Sequence, residues 1–329
     1  MITFLYSAHS NPTSHPPVKR AILLTQPVVP SLETRLQADY EIHRLYGTTT
    51  PDTLLDEIGP RIEAVVTGGS LGLKEAQMRR LPALKIVAVA GVGTDAVDLS
   101  YARERGIHVT TTPNVLTADV ADQALCLLIA VYRRLTQAER FVRAGQWGKA
   151  PLPLAHRFSG KRVGIVGLGR VGRAIAVRAA AFDCPVSYTD LRAFSDVPYT
   201  FMPDIATLAA NCDALVLAAS ADGAKPVVDA AVLAALGKHG VLVNVARGRL
   251  VDEPELVRAL ASGRIAGAGL DVFADEPAVP AALLEMDNVV VQPHRASATW
   301  ETRDAMGEIV LANLSAGLAG QRPPDTVLA

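Results

Sequence analysis

Three cysteines in 329 residues, Cys126, Cys184 and Cys212, are too few and too widely spaced for a disulfide framework or a CxxC metal pair. Such sparse use fits a reducing cytoplasm and gives no reason to expect a metal. An excess of charge of one sign is also missing. With 32 basic side chains against 33 acidic ones, the chain offers no basic surface of the kind that nucleic acid would select. Long apolar runs are absent. The longest, Ala124 to Tyr132, falls short of the ~20 residues that cross a bilayer and follows Asp119 and Asp122, so it predicts a buried helix and no membrane partner. Met1 to Pro17 lacks the basic segment, apolar stretch and A-x-A site of a signal peptide. His9 and His15 are therefore expected in a flexible leader or misassigned start and not in a metal site.

Apolar residues, by contrast, make up 50% of the chain, in short runs separated by helical stretches. A single core usually takes ~100 to 200 residues, so two domains are expected. Strands are predicted at Ala21–Leu24, Ala64–Val66, Ile86–Val89 and His108–Thr110. Their alternation with helices is the pattern of a parallel sheet covered on both faces, an α/β fold. After the turn at Pro113 and Asn114, the spacing from Ala118 to Gln146 predicts one long helix crossing between domains, with Leu125, Leu128, Tyr132 and Leu135 on a common side. Trp147 is expected to pack within the crossing loop. A loop containing Pro151 and Pro153 leads into a second series of strands, at Arg162–Val166, Val186–Thr189, Ala214–Leu217, Val241–Val245, Gly267–Leu270 and Val289–Val291. Five or six such units make a doubly wound sheet. Helical periodicity returns through Leu311 to Leu318, too little for a further domain, and this segment is expected to pack back on the first.

The strand ending at Val166 runs into Gly167-Leu168-Gly169-Arg170-Val171-Gly172, and strong helix formers follow from Arg173 to Ala181. In this setting GxGxxG has a mechanical meaning. Gly167 permits a tight turn, Gly169 lets the backbone approach a pyrophosphate, and Gly172 lets helix and strand sit close, so that a helix N-terminus meets negative charge. Asp190 ends the next strand, where a carboxylate accepts hydrogen bonds from an adenosine ribose. The same carboxylate would repel a 2'-phosphate and Leu191 offers no charge to attract one. NAD is thus expected ahead of NADP, with Arg192 keeping NADP open.

Reduction of a 2-keto acid needs a cation for the carboxylate, an acid to protonate the forming alkoxide, and an anion that keeps the acid charged. Three later loops carry such groups: Asn244-Val245-Ala246-Arg247-Gly248, Asp271 to Pro277, and Pro293-His294. All follow the carboxyl ends of predicted parallel strands, the edge at which such sheets bind ligands. Across Val18 to Leu328, and most specifically at Val243–Leu256, Gly267–Pro277 and the Pro-His-x-x-Ser-x-Thr-x-Glu-Thr-Arg run to Arg303, the chain resembles the D-2-hydroxyacid dehydrogenases. Within them it is nearest to the glyoxylate, hydroxypyruvate and hydroxyphenylpyruvate reductases. It departs from the common pattern in Arg295 and Ala296, where an apolar residue and glycine often follow the histidine.

The resemblance implies a catalytic set in which Arg247 binds the substrate carboxylate and carbonyl, His294 donates the proton and Glu276 pairs with His294. It also implies that Asp271 holds the nicotinamide carboxamide and that Ser220, Val245 and Ala296 line the cofactor. Val92 and Gly93, in the loop Gly91 to Thr94, would offer backbone N–H groups to the substrate, with Gly69 and Ser70 nearby. Arg249 and Arg295 are expected to face solvent. A Rossmann cofactor domain, residues 114–296, would be inserted in a flavodoxin-like substrate domain, residues 1–113 and 297–329. The helix from Ala118 would serve a homodimer. The alternative from another class is a ligand-sensing protein like the corepressors related to this family, which keep the fold but act through partners.

Overall fold

The computed structural model describes residues 19–220 and 225–328, so the expectations for Met1 to Pro17, including His9 and His15, lie outside the described residues. Internal contacts divide the chain into two compact units. The first takes the chain up to Ala90, then Ala96–Thr111 and the residues from Val310 onward. The second takes Gly91–Asp95 and Thr112–Ile309.

In the first unit, strands β1 (Arg20–Leu24), β2 (Tyr40–Arg44), β3 (Ile62–Gly68), β4 (Ile86–Ala90) and β5 (His108–Thr110) form a sheet of order β2-β1-β3-β4-β5. Every pairing is parallel, which is the flavodoxin-like arrangement. Alternate residues serve opposite faces. Ile22, Leu24, Ile86 and Ala88 join one core with Leu32, Leu36, Val310 and Leu314, while Leu23, Val87 and Val89 join the other with Leu55, Met78 and Leu81. Strand β2 was not expected. Its sequence YEIHR is charged and only half-buried, because an edge strand has a neighbour on one side alone.

The second unit contains β6 (Val163–Val166), β7 (Val186–Thr189), β8 (Thr200–Phe201), β9 (Ala214–Leu217), β10 (Val241–Asn244), β11 (Gly267–Leu270) and β12 (Val289–Val291). Their order is β12-β11-β10-β9-β6-β7-β8, again parallel throughout. The chain winds outward from β6 to β8, returns, and winds the other way from β9. The winding reverses between β6 and β9, where doubly wound sheets open a crevice. The two-residue edge strand β8 was also missed, being too short to show any period.

The single helix expected from Ala118 to Gln146 is two, Thr117–Tyr132 and Leu135–Arg143. The break is at Arg134, whose left-handed backbone (φ 50°) cannot continue an α-helix. Leu125, Leu128 and Tyr132 are buried as expected, and the Tyr132 hydroxyl donates to the Asp213 carbonyl at 2.8 Å. Leu135 lies past the break and is exposed, so it does not share their side. No helix among the described residues is long and apolar enough to cross a membrane.

Candidate active site

Strand β6 delivers the glycine loop to the reversal point. Gly167 has φ 90°, and a Cβ there would lie 2.7 Å from the Ala219 Cα just beyond β9. A Cβ at Gly172 would lie 2.0 Å from the Gly167 carbonyl oxygen. Packing therefore requires glycine at both positions. Gly169 differs. It stands at the N-cap of the helix Arg170–Ala180 without a side-chain cap, and a Cβ there would meet no atom within 4 Å. Open space in front of uncapped backbone N–H groups suits a pyrophosphate. Leu168 is buried and donates its N–H to the Asp190 carboxylate at 2.7 Å, and the Leu191 N–H donates to the other oxygen at 2.7 Å. Leu191 is fully exposed beyond it. Arg192 lies over the Phe194 ring at 5.6 Å, a ring it shares with Arg173. Arg170 bonds to Asn114, Val171 packs against the core, and Ser220 follows β9.

Strands β10, β11 and β12 are adjacent, and the loops at their carboxyl ends carry Arg247, Glu276 and His294 respectively. The His294 Nδ1 lies 2.7 Å from the Glu276 Oε2, and the Phe273 N–H holds the other Glu276 oxygen at 3.2 Å. With Nδ1 engaged, Nε2 is the ring atom left to exchange a proton. Burial pushes the Glu276 carboxyl up, but the hydrogen bond and charge of His294, the Phe273 N–H and the Arg247 guanidinium outweigh it and hold the group below its ordinary range. His294 itself has a left-handed backbone (φ 48°), a conformation that its surroundings must impose. Asp271 supplies the restraint. Its carbonyl accepts the His294 N–H at 2.8 Å, and its buried carboxylate accepts the Arg295 and Ala296 N–H groups at 2.9 and 3.0 Å. Burial raises the Asp271 carboxyl, and these N–H groups oppose the shift. Ala296 and Val245 are buried beside these loops, and Arg295 is exposed as expected.

The turn that presents Arg247 is built by Asn244, fully buried, whose amide donates to the Arg247 carbonyl at 2.9 Å and accepts from the Ala246 N–H at 3.0 Å. Arg249 is exposed as expected, yet it is also engaged. Both it and Arg247 bind Asp95, at 2.6 and 2.8 Å. Asp95 was not singled out in the sequence, although it closes the Gly-x-Gly-x-Asp loop holding Val92 and Gly93. That loop clusters with the second unit. Gly69 and Ser70 belong to the first unit, in the turn after β3. Asn244 could have been found, since asparagine at a strand end favours a side-chain-built turn. Asp95 could not, because its partners stand more than 150 residues away.

Residues 125–296 match the family model described as D-isomer specific 2-hydroxyacid dehydrogenase, NAD binding domain. The chain belongs to the D-isomer specific 2-hydroxyacid dehydrogenases. Over 91% of its length it is 44% identical to a glyoxylate/hydroxypyruvate reductase of Arabidopsis thaliana, covering 96% of that protein. It is likewise 44% identical to a 2-ketogluconate reductase of Gluconobacter oxydans, over 91% of this chain and 95% of that one. A solved NADPH-dependent glyoxylate/hydroxypyruvate reductase of Sinorhizobium meliloti, in complex with NADP and malonate, superposes with a TM-score of 0.84 at 39% identity, covering 94% of this chain and 97% of that one. As a member of the family the chain is an NAD(P)-dependent oxidoreductase, with the α/β fold expected of it.

Proposed function

We propose that this dehydrogenase reduces glyoxylate, hydroxypyruvate or a similarly small 2-keto acid to the D-2-hydroxy acid, using NADH ahead of NADPH. The observation that carries the reading is the convergence of Arg247 and the Glu276–His294 pair on one edge of three adjacent strands. Arg247 would take the substrate carboxylate and carbonyl in its planar fork. The protonated His294 would then pass its Nε2 proton to the carbonyl oxygen, while Glu276 and Arg247 steady the charges at either end. A bound nicotinamide would supply the hydride. For that cofactor the glycine loop Gly167–Gly172 and Asp190 form the cradle, with Ser220, Val245, Asp271 and Ala296 along its length. The first unit is read as the substrate-binding domain. Its Gly69 and Ser70, with Val92 and Gly93, are assigned to substrate by resemblance. The test is turnover of glyoxylate, hydroxypyruvate, pyruvate, 2-ketogluconate and an aromatic keto acid, each with NADH and NADPH. Absence of turnover with every pair would overturn the proposal.

The preference for NADH rests on Asp190, held at the lip of the cradle by two backbone N–H groups, and on the uncharged Leu191 next to it. Arg192 is engaged over Phe194. Replacing Asp190 by Ser and Leu191 by Arg removes a repulsion and adds a phosphate partner, so the ratio of kcat/KM with NADH to that with NADPH should fall at least about tenfold. A ratio that stays put would remove Asp190 from the ribose site.

A homodimer formed through the helix Leu135–Arg143 and the segment after it accounts for a run of exposed apolar side chains. That helix has no fully buried residue. Leu135 is 55% exposed, Val142 53%, Trp147 81% and Leu154 93%. Trp147 thus does not pack in the crossing loop as expected. An apolar surface of this kind usually marks an interface. Sedimentation velocity should give a dimer that Trp147→Asp weakens, and a monomer for the unaltered chain would count against it. Reduced, free cysteines and reductase chemistry suit the cytoplasm.

A further inference from the structure

The proposed chemistry leaves one carboxylate without a task. Asp95 divides its two oxygens between two arginines: Oδ2 accepts from the Arg247 Nε at 2.8 Å and Oδ1 from the Arg249 Nη2 at 2.6 Å. Arg247 is restrained twice more. Its Nη1 donates to the Ala246 carbonyl at 2.7 Å, and its Nη2 lies where a Cβ on Gly93 would fall, 1.7 Å from that nitrogen. Three contacts thus fix the plane of the guanidinium and consume its Nε donor and one of the Nη1 donors. The remaining N–H groups of the fork are left for another anion.

We propose that Asp95 is a positioning residue, holding Arg247 in the orientation that presents its free Nη edge to the keto acid, and that Arg249 is the counter-charge that makes this affordable. The proposal rests on the reading of Arg247 as the substrate-binding residue. A long arginine side chain has many rotamers, and fixing it in advance lowers the cost of reaching the reactive geometry. A carboxylate beside that arginine, however, would repel an anionic substrate. Arg249 cancels the repulsion, because the Arg249–Asp95–Arg247 chain carries a net charge of about +1 where Asp95 and Arg247 alone would carry none. The charges fit this account. Burial pushes the Asp95 carboxyl up, but Arg247 and Arg249 outweigh it and keep it below its ordinary range, hence ionised at neutral pH. Gly93 gains a second task, since any side chain there would displace the fork.

Two variants should move KM in opposite directions, which a merely structural role would not do. Asp95→Asn should lower kcat about tenfold and lower KM severalfold, because the fork loses its aim while the site gains positive charge. Arg249→Gln should raise KM severalfold with a smaller change in kcat, because Asp95 is then unbalanced. In an Arg247→Lys background, adding Asp95→Asn should cost less than about threefold, since the group it positions is gone. The measurements are steady-state kinetics with glyoxylate or hydroxypyruvate, after thermal melts and NADH fluorescence titration have shown each variant folded. KM moving the same way in both single variants, or an Asp95→Asn loss equal in both backgrounds, would overturn the proposal. Should Asp95→Asn fail to fold, Arg249→Gln decides alone, and an unmoved KM refutes it. The underlying reading fails separately, through wild-type kinetics in Arg247→Lys itself.

Discussion

Arg247→Lys lowers kcat/KM for the keto acid by about 10²-fold or more, although it keeps the charge. The reason lies in what the guanidinium does at once. Within one plane it donates Nε to Asp95 and Nη1 to the Ala246 carbonyl, and it still has N–H groups directed elsewhere. An ammonium on a flexible stem has three donors and no plane, so it can satisfy Asp95 or a substrate oxygen but cannot hold two substrate oxygens in a fixed geometry. It would also settle toward Asp95, the nearest carboxylate. The turn that carries residue 247 should survive, because Asn244 builds it from backbone groups alone. NADH affinity, measured by fluorescence titration, should therefore change little while turnover falls. Wild-type kinetics in the lysine variant would remove Arg247 from substrate binding.

The doubly wound character of the second unit was legible because its buried strands are short apolar runs, and four of them, β6, β7, β10 and β11, end in or lead into a glycine, aspartate or asparagine. Val163–Val166 and Ala214–Leu217 are wholly buried. The edges were not legible: Tyr40–Arg44 and Thr200–Phe201 have one partner each and carry little apolar signal. The break at Arg134 was also hidden. Nothing in Tyr132-Arg133-Arg134-Leu135 forbids a helix, and the left-handed residue there belongs to the folded chain. At the site, residues that act through their type at a strand end, Arg247, Glu276 and His294, could be picked out, and their partners within a loop followed. Asp95 and the anchoring contacts of Asp271 could not, since they depend on which distant loops the sheet order brings together. Asp271 was assigned to the cofactor. Its carboxylate is seen fixing the Arg295 and Ala296 N–H groups, and so the backbone of His294.

His294→Ala should remove ~10² to 10⁴ of the rate in both directions, the usual contribution of general acid–base catalysis. The sharper test is Glu276→Gln, which keeps the shape of the Glu276 side chain but removes its charge. Reduction starts with a positively charged ring and oxidation of the hydroxy acid with a neutral one. The Glu276 carboxylate, 2.7 Å from Nδ1, is the anion that offsets the ring's charge when a proton is held there. Without it, kcat/KM for reduction at neutral pH should fall about tenfold or more, and that for oxidation by less. The Glu276 carboxyl is held below the ordinary carboxylate range, so the pair's contribution is present above that range and lost only as pH falls through the depressed value. The unaltered enzyme should therefore lose reduction rate at acid pH by way of Glu276, and the glutamine variant, which has no carboxyl to protonate, should lack that loss. The rates should be taken with a keto acid that does not titrate in the range, and with deuterated cofactor to show that hydride transfer limits the rate. Equal reduction rates in the glutamine variant and the unaltered enzyme, under a full isotope effect, would mean that the Glu276 carboxylate does not support the proton on His294.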